Sequence, residues 1–107
     1  DCTIHNSCLL TLKESHKTHV PLSARATLVD GKSVLSGSLP SVALDDMEPL
    51  ECPKGSLVMF TGELVHGSTA NMSELQRHAY VVHLVDDACQ WSDDNWFGKH
   101  LSRLALQ

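Results

Sequence analysis

Residues 55–84 decide the fold of this chain, and they read GSLVMFTGELVHGSTANMSELQRHAYVVHL. The Pro-Lys-Gly turn signal at 53–55 is followed by the apolar run 56–60, which predicts a β-strand. A second short strand is predicted over 63–68. A third is predicted over 77–85, where β-branched residues are most frequent. The pattern indicates short strands joined by turns, so residues 54–86 are predicted to form the core strands.

The flanking sequence adds one more strand, a long irregular segment and an aromatic tail. Residues 8–12 form an apolar run with the length of a buried strand. Residues 17–53 hold all four prolines and predict an irregular excursion with one or two short strands, such as 25–29. Residues 87–107 are expected to pack Trp91, Trp96 and Phe97 against the domain edge, with 99–107 forming a helical turn or a frayed end. With little helix anywhere, the predicted class is all-β, a sandwich or a barrel.

Composition limits the chain to one domain and excludes several kinds of partner. The chain has 107 residues, of which 42% are hydrophobic and 20% charged, and its net charge is −5. Because there is no block of lysine and arginine, neither nucleic acid nor an anionic membrane is expected as a partner. The apolar runs are too short to span a bilayer, and the first residues do not resemble a signal peptide. We therefore expect an intracellular, cytoplasmic protein.

The four cysteines give no recognisable framework. Cys2, Cys8, Cys52 and Cys89 include no C-x-x-C pair. This spacing favours scattered free thiols in a reducing compartment over disulfides, and it argues against a zinc site.

The motifs within 55–84 resemble those of the phytanoyl-CoA dioxygenase family. They are G-x-L-V-x-F at 55–60, L-x-H-x-S at 64–68, N-x-S at 71–73 and R-x-A-Y at 77–80, with eleven residues from His66 to Arg77. Residues 5–16 are similar to the family's E-N-G-C-L…P-G-S-H segment, and residues 91–96 are similar to the W-S-x-x-N-W tail of one subgroup. The resemblance covers most of the chain except 17–53.

The resemblance implies a double-stranded β-helix (jelly-roll), incomplete here, that binds iron(II) and 2-oxoglutarate. By position, His66 is the distal histidine of the 2-His-1-carboxylate iron site. Arg77 is the arginine that grips the far carboxylate of 2-oxoglutarate, and Ser68 is the hydroxyl that assists it. The implied activity couples 2-oxoglutarate decarboxylation to hydroxylation of a substrate C–H bond. The implied substrate is a small molecule, with acyl-CoA thioesters among the candidates.

The residue chemistry agrees with these roles. A guanidinium offers a fixed fork of donors that matches a carboxylate. His66 and Ser68 are two apart, so on a strand they share one face. If 63–68 and 77–85 pair as an antiparallel hairpin, His66 lies opposite Arg77 on the inner face of the barrel. The dioxygenase interpretation depends on both side chains facing one cavity rather than bulk water.

Plainer interpretations stand beside these. Without the family motifs, His66 would be a hydrogen-bonded strand histidine, Arg77 a rim arginine and Ser68 a strand-end hydroxyl. Asn71 and Ser73 are most simply turn formers that bond the backbone through their side chains.

The sequence also departs from the family pattern. The family's His-x-Asp iron ligands lie upstream of the Asn-Gly-Cys-Leu segment, and no histidine in this chain is followed two residues later by Asp or Glu. One histidine cannot hold iron(II), so this chain alone is predicted to be inactive. Ser7, Lys13 and Glu14 replace the family's Gly, Pro and Gly. The alternative function is a truncated or degenerate non-catalytic jelly-roll with a binding or association role. Oligomeric state stays open.

Overall fold

The computed structural model describes residues 1–18, 24–39, 41–86 and 88–96. The chain divides into two compact units, Asp1–Pro21 with Pro40–Val81, and Leu22–Leu39 with Val82–Gln107. Within the described residues the regular structure consists of short strands and three single 3₁₀ turns, so the all-β class is confirmed. The sheets are small and open. The predicted end structure over 99–107 and the packing of Phe97 lie outside the described residues.

The first unit is built on strand β1, Leu9–Thr11, the centre of a three-stranded antiparallel sheet. β1 confirms the strand predicted at 8–12. Leu10 in this strand and Cys8, which directly precedes it, are buried, with 8% and 1% of their surfaces exposed. Strand β4, Glu48–Leu50, pairs along one side with Leu10 opposite Pro49. Strand β5, His66–Gly67, pairs along the other, with Thr11 opposite His66. Proline has no N–H to donate, so Pro49 suits the edge position that β4 occupies.

The second unit is a hairpin of strands β2, Arg25–Val29, and β3, Lys32–Ser36. Asp30 and Gly31 connect the two strands, with φ angles of 50° and 74°. Positive φ at both central residues is what a two-residue type I′ turn requires, and Asp-Gly is a favoured pair there. The 17–53 segment, predicted to be irregular with one or two short strands, thus contains β2, β3 and β4. The strand predicted at 25–29 is confirmed.

Two strands predicted from the sequence do not form. Residues 56–60 and 77–85 form no strand. Within the 63–68 segment, only the two residues of β5 are in a strand. Leu57 and Met59 are 83% and 79% exposed, and residues 57–60 form no hydrogen bond with any other described residue. β-propensity reflects packing on a paired and partly buried surface. These segments have the composition of strands but gain neither pairing nor burial here.

Two positions at which the family has glycine adopt the left-handed conformation in this chain. Ser7 has φ 61° and Glu14 has φ 60°. This explains the family's glycines, since a side chain at positive φ clashes with the following carbonyl. Ser7 compensates, because its Oγ donates to the carbonyl of Ala70 at 2.8 Å. Glu14 has only an exposed ion pair with Lys17, which stabilises little.

We expect Glu14→Gly to stabilise the chain. Relief of the left-handed strain contributes about 1 kcal/mol, and the lost ion pair offsets a few tenths of it. Urea unfolding measures the change. Glu14→Ala is the matched control, since it removes the same carboxylate but keeps the strained backbone. Equal stabilities for the glycine and alanine variants would contradict the strain at this position.

The second unit also predicts a pH effect at Asp94. The Ser92 hydroxyl donates to this carboxylate and is the largest cause that lowers the pKa of Asp94 below its usual value. Partial desolvation raises the pKa, and the charge of Arg25 lowers it further. The stabilising contribution of Asp94 is present above the unfolded-state pKa and is lost as the pH falls through the lowered folded-state pKa. In an NMR titration, Ser92→Ala should raise the pKa of Asp94 more than Arg25→Ala does. The reverse order would make the ion pair the main cause.

Candidate functional site

His66 lies on β5 with a ring orientation that fits a metal ligand. Its Nδ1 lies 2.8 Å from the carbonyl oxygen of Leu64. A carbonyl can only accept, so Nδ1 carries a proton, and in the neutral ring the lone pair then lies on Nε2. Nε2 forms no hydrogen bond with any described residue, and the ring packs against Phe60 at a centroid distance of 4.6 Å. Metal-binding histidines commonly donate their second N–H to a carbonyl in this way, which fixes the tautomer.

The backbone immediately before His66 is held from two sides. The amide of Leu12 donates to the carbonyl of Val65 at 2.9 Å, and the amide of Val65 donates to the Oγ of Ser15 at 2.8 Å. Ser15 is only 2% exposed. The serine of the family-like Ser-His pair at 15–16 therefore positions the strand that carries His66, a role that the sequence did not reveal.

Arg77 is half-buried, and its guanidinium forms no hydrogen bond or ion pair with the part of the chain that the structure describes. It lies near Cys8. The pKa of Cys8 is raised, mainly by burial and then by Glu51 and Cys2, whereas the charge of Arg77 lowers it. A half-buried cation without a carboxylate partner is unfavourable. The co-substrate role of Arg77 stays a prediction.

The positions of the two predicted site residues can each be described relative to β1. His66 is opposite Thr11, and Arg77 is within electrostatic range of Cys8. Three residues of extended chain cover about 10 Å, which sets the scale of the distance between the two neighbourhoods.

The loop between Ser68 and Arg77 is ordered by its own side chains. Asn71 Oδ1 accepts from the amide of Ser73, and Asn71 Nδ2 donates to the carbonyl of Leu75 at 2.7 Å. The predicted turn-forming role of Asn71 and Ser73 is confirmed. Ser68 follows β5 directly and is exposed. Its assistance to the arginine stays a prediction.

The predicted hairpin between 63–68 and 77–85 is wrong. β5 pairs with β1 instead, and Arg77 is on no strand. His66 is exposed, so the criterion that both side chains face one closed cavity is not met by this chain. An open cleft of about 260 Å³ lies elsewhere, beside Cys2 and Cys52. Assignment to a family must therefore rest on other evidence than a closed cavity.

Iron ligation by the described residues alone is incomplete. No three His, Cys, Asp or Glu side chains among residues 1–18, 24–39, 41–86 and 88–96 lie close enough together to hold a metal ion. The described residues therefore form no complete metal site. No helix in the described part of the chain is long and apolar enough to cross a bilayer.

Comparison with known proteins supplies the family. A model described as Phytanoyl-CoA dioxygenase (PhyH) matches residues 1–79, nearly all of the first unit. The chain belongs to this family of dioxygenases.

Several curated relatives agree. The chain is 37% identical over 97 residues to Phytanoyl-CoA dioxygenase of Arabidopsis thaliana. It is 38% identical over 100 residues to Phytanoyl-CoA dioxygenase domain-containing protein 1 of Mus musculus, and 35% identical over 104 residues to the homolog in Dictyostelium discoideum. Each alignment covers 90% of this chain, but only 34–36% of the relative. No solved structure matches. The chain thus spans about a third of the length of the curated relatives it matches.

We expect Ser15→Ala to destabilise the first unit and the position of His66. The substitution leaves the amide of Val65 without an acceptor, which costs about 1–3 kcal/mol for a buried donor. Urea unfolding gives the stability, and the chemical shifts of His66 report the local change. Ser56→Ala, at an exposed serine, is the matched control and should change stability by less than about 0.5 kcal/mol. If both variants unfold alike, Ser15 does not hold this strand.

Proposed function

We propose that this chain is the C-terminal part of an iron(II)- and 2-oxoglutarate-dependent dioxygenase domain of jelly-roll fold. The observation that carries the proposal is the tautomer of His66, whose Nδ1 donates to Leu64 and whose Nε2 stays available. Family membership supports iron(II) as the metal that this nitrogen would bind. Two further iron ligands, a His-x-Asp pair, would come from residues outside this chain.

Each proposed site residue has one task. His66 binds iron(II) through Nε2, and the Ser15–Val65 bond keeps its backbone in place. Arg77 receives the far carboxylate of 2-oxoglutarate in a bidentate geometry, which orients the co-substrate. Ser68 adds a hydroxyl beside that carboxylate. When bound, iron(II) would supply the oxygen chemistry that side chains lack.

The exposed apolar segments support an incomplete domain. Leu57, Met59 and Tyr80 are 83%, 79% and 93% exposed, and all lie in family motifs. Soluble domains rarely leave such extended apolar segments uncovered. In the longer relatives, the remaining two thirds of the chain would cover them and exclude water from the site. The substrate is proposed to be a small molecule.

The second candidate is a non-catalytic jelly-roll module that binds or associates with another chain. Two observations favour it: the chain contains no His-x-Asp, and the same apolar segments are available to a partner. The two candidates differ in whether extension of the chain creates a metal site.

Binding of manganese(II), as a redox-stable substitute for iron(II), and of 2-oxoglutarate tests the proposal by calorimetry. This chain alone should bind neither, whereas a version extended upstream through a His-x-Asp pair should bind both. In the extended version, His66→Ala should abolish metal binding, and His78→Ala, at an exposed histidine, should not. Absence of metal binding by the extended version would select the non-catalytic module.

Arg77 has a separate readout in the extended version. Arg77→Ala should weaken 2-oxoglutarate binding about 10- to 100-fold, because a charge-assisted bond contributes about 1.5–3 kcal/mol, while metal affinity is kept. Arg25→Ala, at an arginine of the second unit, is the control. Unchanged 2-oxoglutarate affinity in Arg77→Ala would remove this residue from the site.

A further inference from the structure

Cys2 and Cys52 face each other across an antiparallel bridge in the first unit. The amide of Cys2 donates to the carbonyl of Cys52 at 2.8 Å, and the amide of Cys52 donates to the carbonyl of Cys2 at 3.0 Å. Two residues that exchange both hydrogen bonds have Cα atoms about 5.5 Å apart, and disulfides span Cα distances of about 4.4–6.8 Å. The backbone therefore holds the two Cα atoms within the range that a disulfide spans.

The surrounding contacts keep this pair in register. The amide of Lys54 donates to Asp1 Oδ1 at 2.7 Å, and the amide of Ile4 donates to Glu51 Oε1 at 2.6 Å. Each carboxylate belongs to the residue next to one cysteine and accepts a hydrogen bond from the segment that carries the other cysteine. The two segments are clamped on both sides of the bridge, so little conformational freedom would be lost on linking them.

The two thiols interact electrostatically, and both are accessible to solvent. Burial and the neighbouring Cys2 raise the pKa of Cys52. Both cysteines are half-buried, and both line the open cleft of about 260 Å³ with Thr3 and Pro53. Cys8 is 1% exposed, so a reagent in the cleft meets Cys2 and Cys52 first.

We propose that Cys2 and Cys52 form a site of reversible oxidative modification, at which a low-molecular-weight disulfide converts the thiol pair to an intramolecular disulfide. One thiolate attacks the reagent to give a mixed disulfide and releases one thiol. The partner thiolate then attacks the protein sulfur and releases the second thiol. Two electrons and two protons pass from the cysteines to the reagent. This inference stands independently of the iron site.

The bond would close the 2–52 segment into a loop. That loop contains β1, β2, β3 and β4, and closing it restricts the unfolded chain. The oxidised protein should therefore unfold at higher urea concentration than the reduced one, and reduction should reverse the shift.

Treatment of the full chain with glutathione disulfide tests the proposal. The expected product has lost two hydrogens, keeps two of its four thiols alkylatable and links the tryptic peptides 1–13 and 33–54. Fragmentation should assign the bond to Cys2 rather than Cys8. Cys2→Ser and Cys52→Ser should each lose the linked product, whereas Cys89→Ser, the matched control, should keep it. In denaturing urea, the pairing should spread over all four cysteines.

Three outcomes would overturn the proposal. They are a bond between Cys2 and Cys8, glutathione adducts on Cys2 or Cys52 that never resolve, and complete alkylation of all four thiols after oxidation. Each is read from the wild-type chain, so none depends on the folding of a variant.

Discussion

The first unit depends on the backbone pairing of β1, a strand of three residues, with a neighbouring strand on each side. Among the described strands of this unit, β1 alone has partners on both sides, and the two buried apolar residues of the described chain, Cys8 and Leu10, adjoin it or belong to it. The strand that carries His66 is placed by pairing with Thr11, and Arg77 approaches the same strand near Cys8. The hydrogen bonds of β1 therefore place the backbone that carries His66.

Part of the fold could be predicted because the signal was local. The apolar run at 8–12 predicted β1, and residues 25–29 predicted β2. The Asp30-Gly31 pair between two short runs was an available hairpin signal that the sequence interpretation did not use. Residues 56–60 and 77–85 have strand composition but no strand, because pairing and burial depend on a partner surface that composition does not encode. The jelly-roll topology is accordingly a proposal rather than an observation in this chain.

For the candidate site, the sequence predicted the motif residues but not the residues that position them. Motif spacing singled out His66 and Arg77, and the structure adds the bond between His66 Nδ1 and the carbonyl of Leu64 and the half-burial of Arg77. Ser15 and Ser7 were missed as positioning residues. Ser15 acts on the backbone of Val65, fifty residues away, and Ser7 acts on Ala70. A serine that bonds a distant main-chain group leaves no periodic pattern, so only the coordinates reveal it.

The uncovered segment Tyr80-Val-Val-His-Leu-Val85 has a consequence for biosynthesis. It combines high β-propensity with low charge and no proline, and Tyr80, Val82 and Leu84 are 93%, 60% and 75% exposed. Such six-residue segments stack readily into intermolecular cross-β assemblies. A cell that holds this chain without a covering surface would direct it to holdase chaperones and proteolysis. The steady-state level of the chain is thus coupled to how quickly that surface is buried.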